Sequence, residues 1–107
     1  SAGSEVSDTI SCELRVKDAD SLNEDGTYMV HWNIADADMS AGETAQSVTV
    51  SYDNGSEWQQ ITANKKAIAF TNASGQLTLD VTHTGANTLY LMCEFRGTVY
   101  SVQLVFT

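Results

Sequence analysis

Basic residues are scarce in this chain of 107 residues: five Lys and Arg stand against fourteen Asp and Glu, leaving a formal net charge of −9. Phosphate recognition needs clustered cations, so the composition argues against a nucleic-acid surface and against anionic membranes. Long apolar runs are missing as well, so no membrane insertion is expected. The Ser-Ala-Gly start lacks the basic and apolar regions of a secretory signal, and it fits either loss of an initiator Met or removal of a leader. A soluble chain is expected. No segment sustains a helical period, and no internal repeat or low-complexity linker interrupts the chain. Catalytic patterns are absent too. His31 lies on the outward side of an alternating segment and His83 in a turn cluster; neither comes with a nucleophile elbow, paired carboxylates or a phosphate-cradling glycine loop. An enzyme is therefore not expected, no cofactor is implied, and both histidines read as surface residues. The only cysteines, Cys12 and Cys93, are far apart with no His pair beside them, which speaks against zinc.

What the chain does have is alternation. Thr9 to Lys17 sets Ile10, Cys12, Leu14 and Val16 on one side and Ser11, Glu13, Arg15 and Lys17 on the other, the period of a half-buried strand. Thr27 to Ile34 aligns Tyr28, Val30, Trp32 and Ile34 against Met29, His31 and Asn33. Thr88 to Phe95 aligns Leu89, Leu91, Cys93 and Phe95 against Tyr90, Met92 and Glu94. Trp32, Leu14, Val30 and Leu91 are thus core candidates, and both cysteines point inward with them. Further strands are expected at 46–52, 57–61, 66–70, 76–81 and 98–106, separated by Gly, Asn, Asp and Ser clusters. The sequence predicts one all-β domain over residues 1–107, an antiparallel sandwich of about 7–9 strands in two sheets, with 1–7 as a flexible N-terminal arm.

Acidity is concentrated in residues 1–57, which hold twelve of the fourteen acids opposed only by Arg15 and Lys17. Most of it reads as a solvated surface. If consecutive strands run antiparallel, the loops 18–26, 53–56, 71–75 and 96–97 share one end of the sandwich. That end would gather Asp18, Asp20, Glu24, Asp25 and Asp53 around Arg96, and it is the predicted recognition end. Asp18, Asp20, Asn23 and Asp25 also present the oxygen ligands that calcium takes. Their spacing fails the EF-hand pattern, with Leu22 in a ligand place and no closing Glu, so an acidic turn rather than a metal site is expected. Among the rings, Trp58 and Tyr90, with Tyr100, are the candidates for stacking on a glycan. Asn54-Gly-Ser and Asn72-Ala-Ser match the glycosylation sequon.

The segments SCELRV, MVHWNI and LYLMCEF resemble the Cys, Trp, Cys core pattern of the immunoglobulin and fibronectin type III superfold, a likeness that extends over essentially the whole chain. Val48 to Ile61 (VTVSYDNGSEWQQI) resembles a Tyr-Ser-Asp-Gly-Gly-x-x-Trp hairpin of fibronectin-like and bacterial or phage surface modules. The interval from Cys12 to Trp32 is longer than in immunoglobulin domains, and Leu91 occupies the place of their usual Tyr. These departures point to a microbial or viral variant. The resemblance implies an immunoglobulin-like sandwich with Cys12 and Cys93 on opposing sheets and Trp32 packed against them. Oxidised, the pair would close a loop of about 80 residues, worth about 4 kcal/mol on the chain-entropy account; in a reducing compartment it is two buried apolar side chains. The implied role is a non-enzymatic structural or interaction module on a surface. Its settings are a phage virion, as capsid decoration or tail-associated protein in repeated copies, or an extracellular bacterial adhesin or carbohydrate-binding module. Its partner is accordingly a protein of a virion or cell-surface assembly, with surface glycans as the other ligand class.

Overall fold

Eight strands follow the alternation closely: β1 (Thr9–Arg15), β2 (Met29–Ala35), β3 (Thr49–Asn54), β4 (Ser56–Thr62), β5 (Lys66–Phe70), β6 (Gln76–Thr82), β7 (Asn87–Phe95) and β8 (Thr98–Phe106). A computed structural model describes all residues from 1 to 107. The strands form two antiparallel sheets, β1-β6-β3 and β4-β5-β2-β7-β8. The inward residues of both meet in one core of Ile10, Cys12, Val30, Trp32, Ile34, Leu77, Leu79, Val81, Leu89, Leu91, Cys93, Leu104 and Phe106, with Leu14 half-buried at its margin. Registers such as Cys12↔Leu79 and Trp32↔Cys93 hold these side chains to the same interior. A one-residue slip would turn each set to solvent, so the alternation itself specifies the pairing.

Val48 to Ile61 does not fold as a hairpin. β3 pairs with β6 in one sheet and β4 with β5 in the other, so the chain crosses between sheets at the single residue Gly55. Gly55 adopts φ 85°, where a Cβ would stand 2.5 Å from the Phe70 carbonyl oxygen and 2.8 Å from Leu77 Cδ1. Glycine's missing side chain is what permits the corner.

Because one sheet has five strands and the other three, β4 overhangs the sandwich, and almost every residue of it is exposed. Two register shifts against β5 fall at Glu57/Gln59 and Gln60/Thr62. The N-terminal residues expected as a flexible arm lie along the outer side of β1, where Gly3 N–H donates to Ser11 O at 2.9 Å and Glu13 N–H to Ser1 O at 2.9 Å. Glu5 then accepts bonds from the Thr107 amide (3.0 Å) and hydroxyl (2.7 Å) beyond β8.

Two sequence readings are corrected. His83 is buried rather than at the surface: its Nδ1 lies 2.8 Å from Ser47 O and its ring packs edge-on against Phe106 at 5.4 Å. Met92, placed on the outward side of its strand, is also buried. The segment 36–43 folds back over the sheet there. Asn33 Nδ2 donates to Ser40 O (3.0 Å) and Gly42 O (2.8 Å), and the Ser101 hydroxyl donates to Asp38.

Candidate functional site

Three regions carry the residues singled out from the sequence. At the end shared by the loops, Arg96 Nη2 donates to Glu24 Oε2 at 2.9 Å, and its guanidinium lies 5.1 Å from the Tyr28 ring centroid and 4.7 Å from that of Phe95. Tyr28 in turn donates its hydroxyl to Asp25 O at 3.0 Å. A partly exposed ion pair contributes below about 1 kcal/mol, so this cluster orders the loop more than it stabilises the domain. Asp18 Oδ1 accepts the amides of Asp20 (2.9 Å) and Leu22 (3.0 Å), capping its own turn. Asp20 and Asn23 are exposed beside it. Asp53 does not join them. It turns onto the outer side of β3, where a hydrogen bond with Asp80 and the neighbouring negative charge push its carboxyl pKa up.

The second region is the interior face where the sheets meet. Trp32 Nε1–H donates to Tyr52 Oη at 2.9 Å, and the Tyr52 hydroxyl reaches Glu57 Oε1 at 3.3 Å, linking β2, β3 and β4 through one polar chain. Burial pushes the Tyr52 phenol up to about 12. Cys12 and Cys93 are both free thiols and both buried. Burial raises the Cys12 thiol to about 11 and the Cys93 thiol to about 12, the latter also through the proximity of Cys12.

This thiol pair gives a first expected result. A thiol-reactive dye at pH 8 should leave the native protein unlabelled and count both cysteines after denaturation; none after denaturation would mean a bond between them. Both groups hold their protons more tightly folded than unfolded, from an ordinary value of 9.0. Their stabilising contribution is therefore complete below about pH 9 and lost as pH rises towards 12. Denaturant midpoints should fall over that alkaline window, and fall less in the Cys12→Ala, Cys93→Ala double variant.

The third region is the outer face of the five-stranded sheet, where Met29, Ile68, Phe70 and His31 from β2 and β5 look away from the core. Trp58 stands 59% exposed on β4, edge-on to Phe70 with ring centroids 5.9 Å apart. Met29 (47%) lies across Phe70 from β4 and Ile61 (50%) three residues along β4, while Met39 (58%) and Val99 (37%) border a shallow pocket with Ile61, His31 and Met92. Trp58 falls at one β4 register shift and Ile61 at the other, which is why simple alternation did not assign their facing. Tyr90 shares this face but not this neighbourhood. It registers with Ala35 at one end of β2, whereas Phe70, beneath Trp58, registers with Met29 at the other. At ordinary strand spacing and rise the two rings lie roughly 25 Å apart, so they do not form one stacking platform. Tyr100 is 54% exposed but registers with Cys93 and borders the cleft between β1 and β8, on the other face of the sheet. Both sequon asparagines are engaged internally, Asn54 Nδ2 to Thr78 Oγ1 at 3.1 Å and Asn72 Oδ1 by the amides of Ser74 and Gln76 at 3.0 Å. No helix is long and apolar enough to cross a membrane.

Comparison with known proteins finds no matching family model, no matching curated protein and no matching solved structure.

Proposed function

We propose that this chain is a non-enzymatic, immunoglobulin-like interaction module displayed on a surface, docking to a protein assembly through the outer face of its five-stranded sheet, with a phage virion as its setting. The observation that carries the reading is the set of exposed apolar residues on this face, Trp58 and Met29 about Phe70 and Ile61 with Met39 beside them, on a chain of net charge −9. Apolar side chains gathered on an otherwise strongly charged surface are the signature of a protein contact. The strand arrangement supports the immunoglobulin likeness. With Ser1–Gly3 beside β1, the sheets have the spatial order of an A-B-E-D and a C″-C′-C-F-G pair, and Cys12, Trp32 and Cys93 take the B, C and F places. The chain visits them differently, filling the D place with β3 before the overhanging pair β4 and β5.

The bacterial adhesin or carbohydrate-binding reading rests on Trp58, whose exposed indole offers a face to a sugar. Two measurements separate the readings. Antibody against the domain should decorate virus particles from a culture of the source, and decoration of cell envelopes alone would sink the virion proposal. A glycan array should stay blank with the wild-type domain; binding that disappears in Trp58→Ala would put the sugar reading first. Because Trp58 is mostly exposed, Trp58→Ala should cost less than about 1 kcal/mol in a denaturation curve, so any loss of docking is not a loss of fold.

A further inference from the structure

The edges of the two sheets part between β1 and β8, leaving a cleft of about 800 Å³ whose floor includes Leu14, Leu79, Leu91, Phe95 and Val102. One end of this seam is closed by the N-terminal residues, for Ser1–Gly3 pair with β1 at Ser11–Glu13. Beyond Glu13 nothing covers the edge. In an antiparallel ladder, alternate residues turn their peptide groups to the same side. Ser11 and Glu13 point theirs to the N-terminal strand, so Arg15 continues on that side. Val16 and Asp18 bond the opposite way, to Gly75, Glu24 and Leu22, which leaves the peptide groups of Lys17 on the open side as well. The edge is an unfinished ladder alongside an apolar cleft.

Unused donors decide what would finish it. Glu13 accepts a bond from Gln76 Nε2 at 3.4 Å, and Asp18 caps its own turn. Arg15 and Lys17, two of the five basic residues of the chain, form no ion pair, and Arg15 Nε is buried without a hydrogen-bond partner. Both carboxylates already accept hydrogen bonds, so the donors left without a partner on this rim belong to the two cations. We infer that the β1 edge from Glu13 to Lys17 receives an extended acidic strand from a partner protein, its apolar side chains alternating into the cleft and its carboxylates beside Arg15 and Lys17. This mode adds main-chain hydrogen bonds for affinity and side-chain pockets for selectivity. It is independent of docking through the outer face, which lies on the opposite side of the five-stranded sheet from the cleft, so either can fail without the other.

The probe is a blocked peptide, Ser-Val-Glu-Val-Glu-Val-Ser, with Ser-Val-Lys-Val-Lys-Val-Ser as its counterpart. Titrated into the whole domain at low salt, the acidic peptide should bind saturably and slow amide exchange at Arg15 and Lys17 by about tenfold or more. The lysine peptide should bind about tenfold more weakly, and the Arg15→Glu, Lys17→Glu double variant should reverse the order. Equal binding of the two peptides to the wild-type domain, protection confined to β8 or to the Trp58 face, or no protection at all would overturn the assignment. So would protection of Arg15 and Lys17 that grows with protein concentration in the absence of peptide, since the occupant would then be a second copy of this chain.

Discussion

Gly75→Ala is expected to destabilise the domain by about 3 kcal/mol or more. Gly75 is buried at φ 73°, and a Cβ there would overlap the backbone carbonyl oxygen of Glu24. Neither partner can yield cheaply, because both belong to main chain fixed on each side. Val16 N–H donates to Gly75 O at 2.9 Å, Glu24 N–H to Val16 O at 2.9 Å, and Gly26 N–H to Ala73 O at 2.8 Å. The added methyl would lever the 16–28 connection off the 71–75 turn. Gly97→Ala provides the comparison: its φ is 77°, but a Cβ there meets nothing within 4 Å. It should cost only the left-handed backbone term, about 1 kcal/mol. Urea unfolding of the two variants measures the difference; similar midpoints would show that the close approach to Glu24 is not a constraint.

Trp32→Ala should cost about 3–5 kcal/mol, the range for deleting a buried aromatic side chain and leaving a cavity. Trp32 is 2% exposed and meets three neighbouring strands: it pairs with Cys93 on β7 and with Ala67 on β5, and packs edge-on to Tyr52 on β3 at 6.5 Å. Its hydrogen bond to Tyr52 adds a separable component. Tyr52→Phe leaves the indole N–H without its acceptor and should cost about 1–2 kcal/mol. In a Trp32→Phe background the same change should cost about 1 kcal/mol less, because the unsatisfied donor is gone. Additive losses in that cycle would mean that the bond contributes nothing to stability.

Residue periodicity made the strands readable, but it left their neighbours undecided. Lys66–Phe70 and Thr98–Phe106 have the predicted limits, and the other six strands shift by a few residues at their ends. A period of two states which side chains turn inward and says nothing of which sheet a strand joins. That is why SYDNGSEW looked like a hairpin while Gly55 in fact carries the chain from one sheet to the other. Long-range cover was equally illegible. Met92 alternates outward, yet the 36–43 loop closes over it, and His83 is taken inside by Ser47 and Phe106. At the loop end, strand counting anticipated the meeting of Glu24 and Arg96, whose partners come from turns far apart in the chain. It placed Asp53 with them as part of a 53–56 loop, whereas the residue remains on β3 and faces Asp80.

The two bulges of β4 have a consequence for how this domain behaves when crowded. A smooth, overhanging edge bearing Trp58 and Ile61 would be a template on which identical chains could stack edge to edge into fibres. The breaks at Glu57/Gln59 and Gln60/Thr62 put the exposed peptide groups out of step with any regular strand. The bulges thus disfavour edge-to-edge stacking through β4 even with Trp58 and Ile61 uncovered.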